Sequence, residues 1–151
     1  MEHSYIPKVR LAEEKLEAAV RGKKIALMVN ATAVHNDGRF LIDIIAGYKE
    51  CEVMFILGME HGVRCALSAG ERDKESVDIK TGIPILSLYD YPERRPPVSE
   101  LSRVDAVVYC TQDSGVRHWT FTPWLSILWT RQREPGVRLL SLTAPTPLAI
   151  R

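Results

Sequence analysis

Continuous apolar runs alternate with amphipathic and polar stretches along this chain. Ile25-Ala-Leu-Met-Val29, Glu52-Val-Met-Phe-Ile-Leu57, Asp105-Ala-Val-Val-Tyr-Cys110 and Val137-Arg-Leu-Leu-Ser-Leu142 are short, apolar and bounded by turn residues. That pattern predicts strands buried on both faces. Ile83-Pro-Ile-Leu-Ser-Leu-Tyr89 predicts a fifth strand. Pro84 cannot donate to a ladder, which puts it at a sheet edge or at the strand's first residue. Between these runs the period changes. Val9, Ala12, Leu16, Ala19 and Val20 recur at helical spacing over about Lys8 to Arg21, with Gly22 as a stop. Phe40, Leu41, Ile44, Ile45 and Tyr48 form one face of a second helix, for which Asn36 or Asp37 offers a cap. Ser99 offers a cap for a short helical turn. Thr122-Pro123 predicts the start of a helix reaching about Glu134.

Strands alternating with helices and short connections define an α/β fold with a Rossmann-like open sheet. The sheet is mostly parallel, with about five strands and helices on both faces. Residues 1–151 read as a single domain, since one domain commonly spans ~100–150 residues. Right-handed crossovers bring every loop that follows a strand to one edge of the sheet. Ligands of such sheets bind beyond the carboxyl ends of the strands. The rule selects Asn30, the segment Gly58 to Arg64, Tyr89, the segment Gln112 to Arg117, and Thr143.

Composition narrows the partners. Twenty basic residues against nineteen acidic ones give a net charge of +1, so neither nucleic acid nor an anionic membrane surface has support. The first residues contain no apolar h-region, and the apolar runs are far shorter than the ~20 residues of a membrane span. The chain reads as cytoplasmic. Cys51, Cys65 and Cys110 contain no Cys-x-x-Cys pair and read as small apolar fillers, although Arg64 beside Cys65 can lower a thiol pKa. His35, His61 and His118 lie in separate loops without zinc-ligand spacing, so no metal site is expected. No Gly-x-Gly-x-x-Gly or Walker A motif follows the first strand, which excludes the common nucleotide signatures. Trp119, Trp124 and Trp129 are five apart, a spacing that spreads them around a helix.

Two segments carry candidate chemistry. In Gly58-Met-Glu-His-Gly-Val-Arg64, a glutamate just past a buried strand can be partly desolvated, a setting that suits general acid work. His61 can orient Glu60 or contact substrate, and Arg64 can bind a carboxylate through two parallel hydrogen bonds. The plainer alternative is a loop salt bridge between Glu60 and Arg64. In Gln112-Asp-Ser-Gly-Val-Arg117, Asp113 is a second carboxylate or a partner for a sugar hydroxyl; alternatively it is a loop cap, with Arg117 on the surface.

Gly-x-Glu-His-Gly-x-Arg, Ala69-Gly-Glu71, Asp78-x-x-Thr-Gly-x-Pro84, Ser87-Leu-Tyr89 and Gln112-Asp-x-Gly-Val-Arg117 follow one another in a characteristic order. From about Arg21 to Leu148 the chain resembles the exo-β-N-acetylmuramidases, bacterial glycoside hydrolases long grouped as a domain of unknown function. The resemblance implies an N-terminal Rossmann-like domain with the active site in a cleft against a C-terminal domain. It implies release of N-acetylmuramic acid from non-reducing ends of peptidoglycan fragments, without organic cofactor or catalytic metal. Members are often exported. Glu60 matches the leading catalytic candidate, with general acid its natural role. His61, Arg64, Gln112, Asp113, Arg117 and Asn30 match substrate-binding positions, and Arg64 or Arg117 suits the lactyl carboxylate.

The chain departs from the family at several positions. Asn30-Ala-Thr-Ala33 stands for Asn-Pro-Thr-Gly, and Met59 and Cys65 flank the Glu-His-Gly segment in place of proline and glycine. Cys110 stands for an aspartate. Arg117-His-Trp-Thr-Phe121 lacks two tyrosine hydroxyls, and Leu142-Thr-Ala-Pro-Thr-Pro147 lacks an acid, a base and an amide. The sequence therefore reads as a truncated, divergent member without the family's C-terminal domain. It is either a hydrolase acting on muramic acid-containing sugars or a non-catalytic relic that binds sugar or self-associates. A cleft face left open also predicts a homo-oligomer or a partner chain.

Overall fold

The computed structural model describes residues 13–35, 37–64, 66–68, 71, 77–111, 126 and 138–141. Five strands form one sheet: β1 (Lys24–Val29), β2 (Glu52–Gly58), β3 (Ile85–Ser87), β4 (Ala106–Cys110) and β5 (Arg138–Ser141). Their order across the sheet is β3-β2-β1-β4-β5, and every neighbouring pair is parallel. The expected open α/β sheet is therefore observed. Chain direction along the order reverses at β1, which lies between β2 and β4. That switch point is where such sheets open a crevice at their carboxyl edge.

Side-chain alternation sorts the core into two layers. Ile25, Leu27 and Val29 of β1 join Ala106, Val108 and Cys110 of β4 on one face. There they meet Leu16 and Val20 of α1 (Glu13–Val20) and Leu41, Ile42 and Ile45 of α2 (Leu41–Ala46). Ala26 and Met28 join Phe55, Leu57, Val107 and Tyr109 on the other face, beneath Leu88, Leu101 and Val104. A register shift between Ile25 and Ala26 of the β1–β2 ladder skips Met54, which leaves Met54 and Phe55 on the same layer.

Helix starts differ from the sequence expectation. The residue before α2 is Phe40, in extended conformation and without a side-chain cap. Asp37 instead accepts hydrogen bonds from the Arg39 backbone and guanidinium, so it closes a turn ahead of the helix. The helix thus begins later and is shorter than expected. In α3 (Val98–Leu101) the capping position falls on Pro97, and Ser99 lies inside the turn. Of the first expected helix, residues 8–12 lie outside the described residues. So does the expected Pro123 to Glu134 helix apart from Ser126, and so do all three tryptophans.

Pro84 behaves as its chemistry dictates. β3 is an edge strand, and Pro84 precedes it in an isolated antiparallel bridge with Val77. Gly58, the last residue of β2, pairs with Ser87, the last of β3. A Cβ at Gly58 would lie 3.1 Å from Ile85 Cγ2 and 3.6 Å from Ser87 Cα. Glycine therefore lets the carboxyl ends of the two strands close together. Gly58→Val should cost about 1–3 kcal/mol through overpacking, read as a lower urea midpoint with unchanged slope.

Candidate functional site

The parallel ladder delivers the strand ends to one rim. Asn30 follows β1, Glu60 follows β2, Tyr89 follows β3 and Thr111 follows β4. With β1 between them, the ends of β2 and β4 lie two strand spacings apart, about 10 Å. The loops that begin with Met59 and with Thr111 thus start on the same edge. Gln112, Asp113 and Arg117 lie outside the described residues.

Asn30 is buried at the switch point, 3% exposed. Its Oδ1 accepts hydrogen bonds from the Thr32 amide at 3.0 Å and the Thr32 hydroxyl at 2.6 Å. This local turn explains why Asn and Thr are useful two residues apart. The Asn30 Nδ2 donor has no partner among the described residues, a costly state for a buried amide. At the end of β4, the strand paired directly with β1, the Thr111 hydroxyl donates to Tyr109 Oη at 2.7 Å, also buried.

Glu60 is half-buried in the turn that follows β2. His61 and Gly62 both take left-handed backbone conformations, with φ of 66° and 72°. For a histidine that geometry is uncommon and survives only where its surroundings hold it. The holding contacts are reciprocal. His61 Nδ1–H donates to the Leu67 carbonyl at 3.1 Å, and the Leu67 amide donates to the His61 carbonyl at 3.2 Å. The Gly62 amide donates to the Met59 carbonyl, closing the turn around Glu60.

Arg64 has a different place from the Glu60 salt bridge weighed above. Its Nε donates to Asp78 Oδ1 at 2.6 Å and its Nη2 to Asp78 Oδ2 at 2.8 Å. Nη2 also reaches Asp43 Oδ1 at 2.9 Å, and the guanidinium lies 5.6 Å from the Phe40 ring centroid. The two-point carboxylate grip is real, but the carboxylate is the protein's own. Lys80 completes the cluster on Asp43 Oδ2 at 2.6 Å. Asp78 additionally accepts from the Thr81 amide and hydroxyl, and its backbone pairs with Ile83. One carboxylate therefore joins the Glu60 loop to the turn that feeds β3, while Asp43 joins both to α2.

The electrostatics follow from these contacts. The Arg64 hydrogen bond pulls the Asp78 carboxyl down to about 2, outweighing its burial, with the Thr81 donors assisting. Burial pushes Asp43 upward, but the hydrogen bonds from Arg64 and Lys80 win and leave it lowered. Burial alone pushes the Cys110 thiol up to about 12. That cysteine is an inert apolar filler, and Cys51 is half-buried with its thiol also raised. Cys65 lies outside the described residues. Among the described residues no three His, Cys, Asp or Glu side chains converge as metal ligands.

A model for the N-terminal part of the exo-β-N-acetylmuramidase NamZ matches residues 25–151. The chain belongs to that family. It is 29% identical over 145 residues to the peptidoglycan β-N-acetylmuramidase NamZ of Bacillus subtilis strain 168, covering 93% of this chain and 35% of that protein. A DUF1343 family protein of Bacteroides fragilis NCTC 9343 superposes with a TM-score of 0.79 at 28% identity, over 93% of this chain and 34% of that one. A second DUF1343 protein of that organism gives 0.71 at 26% identity, over 90% and 34%. The chain spans about a third of the length of these relatives.

The partners of Arg64 escaped the sequence reading. Asp78-x-x-Thr-Gly has the form of an Asp-capped turn, a signal of local structure. Nothing in the sequence tells that its carboxylate also meets an arginine fourteen residues upstream. Asp78→Ala, which leaves Arg64 with Asp43 alone and removes the acceptor of Thr81, should cost about 1–3 kcal/mol by chemical denaturation. Lys80→Ala, at an exposed end of the cluster, should cost under about 1 kcal/mol. Because the Asp78 pKa is lowered on folding, its contribution is complete above the ordinary value of 3.8 and is lost as pH falls through about 2. Asp78→Asn should flatten the stability curve in that window.

Proposed function

We propose that this domain binds a muramic acid-containing sugar on its C-terminal rim and supplies Glu60 as general acid for cleavage of the terminal N-acetylmuramic acid glycosidic bond. The observation carrying this reading is the turn that follows β2. It holds a glutamate at the carboxyl edge, beside the switch point, in a backbone geometry rare for the adjoining histidine. Family membership supplies the substrate class, since the B. subtilis relative is a peptidoglycan β-N-acetylmuramidase.

In this chemistry the Glu60 carboxyl gives its proton to the glycosidic oxygen as the anomeric C–O bond breaks. The oxygen of water ends on the anomeric carbon, and its proton passes to a carboxylate base. Asp113, in the loop that follows β4, is the second carboxylate the sequence offers for that part. Asn30 Nδ2 offers a donor at the switch point for a sugar oxygen, with Gln112 and Arg117 as further binding residues. His61 positions Glu60 through its bond to Leu67.

Incubation with a chromogenic β-N-acetylmuraminide tests the reading. Turnover by the chain, lowered at least about 100-fold in Glu60→Gln, the range a positioned acid supplies, is the result that supports the catalytic reading. A parent chain without turnover removes autonomous catalysis and leaves the sugar-binding reading, which the loss of Cys110's acidic counterpart favours. An aspartate at that position would be buried in an apolar layer, where Cys110 now sits 1% exposed.

A further inference from the structure

We infer that Arg94 is the specificity-determining residue that meets the carboxylate of a sugar bound on the C-terminal rim. The inference rests on the sugar-binding reading above and names which cation performs the recognition. Arg64 was a candidate for that task, but its Nε and Nη2 are engaged by Asp78 and Asp43. Releasing them to a ligand would leave the buried Asp78 carboxylate without its cation and Asp43 with Lys80 alone.

Arg94 has the opposite surroundings. It is exposed, and among the described residues its guanidinium makes no ion pair. It stands 4.5 Å from the Tyr89 ring centroid. Stacking on an aromatic face holds the guanidinium in place and leaves its in-plane N–H donors for an anion. Neighbouring arginines lack that freedom, since Arg95 pairs with Glu93 and Arg103 with Glu100.

Placement follows from register. β2 and β3 end side by side at Gly58 and Ser87, and Glu60 and Tyr89 each come two residues later. The general acid and the aromatic seat of Arg94 thus rise from adjacent strands at the same rim. The backbone beneath Arg94 is held in an unusual state. Glu93 and Arg94 both have φ of 55°, between Pro92 and the Pro96-Pro97 pair. Arg94 N–H donates to the Tyr91 carbonyl and Arg95 N–H to that of Pro92. Two consecutive left-handed non-glycine residues aim the side chain back over Tyr89 at an energetic cost, a pattern that concentrates at ligand-binding sites.

N-acetylmuramic acid and N-acetylglucosamine differ by the lactyl group, so their comparison isolates the carboxylate. Titrations of the full chain followed by two-dimensional amide NMR should show the muramic sugar binding at least about tenfold tighter. Arg94→Gln should bring the two sugars to parity, with N-acetylglucosamine affinity and the unfolding midpoint unchanged. Arg94→Lys should restore part of the preference. Full preference retained in Arg94→Gln, or lost only in Arg117→Gln, would overturn the assignment while leaving the sugar site standing. A parent chain that binds neither sugar would remove the sugar-binding reading and this inference with it.

Discussion

Parallel pairing of β1 with both β2 and β4 is the constraint from which the candidate site follows. Parallel strands share a direction, so all their carboxyl ends face one way. No side chain has to be placed individually for Asn30, Glu60, Tyr89 and Thr111 to gather on one rim. The ladder does this once the apolar runs are buried on both faces. The two-layer core, with Phe55, Met28 and Leu57 on one side and Ile25, Leu27 and Ile56 on the other, keeps the register from slipping. A slip by one residue would exchange the layers.

The ladder places the loops but does not shape them. Shape comes from polar contacts that reach across sequence. Asp78 is nearly inaccessible, and its carboxylate serves Arg64 and Thr81 together. Asp43 answers Arg64 and Lys80 from α2. The Glu60 turn is thereby fastened at one end to β2 and at the other to two separate elements. A half-buried catalytic candidate in such a loop keeps its orientation without being part of the core.

Strand positions were legible because burial on both faces leaves continuous apolar runs, and Pro84 identified the edge. Helix starts were less so. Asp37 has the chemistry of a cap, yet Arg39 competes for its carboxylate, and the helix begins at Leu41 instead. Of the candidate site, Glu60 and Asn30 could be located from the strand-end rule alone. Arg64 could be located but not interpreted, because its partners are distant in sequence and only folding introduces them. Arg94 carried no sequence signal beyond a basic residue in a proline-rich loop; its meaning depends on a ring five residues earlier and on left-handed backbone that residue types did not advertise.

The outermost strand has a consequence of its own. β3 contributes only Ile85–Ser87 to the sheet, and a proline that cannot donate stands at its entrance. An exposed ladder of this kind invites foreign strands, and shortness with proline is a known defence. The flank that carries the rim beside Glu60 is thus also a flank poorly suited to template further β-structure. On this side the sheet is terminated by its own chemistry, and a neighbouring body must dock through side chains rather than extend the ladder.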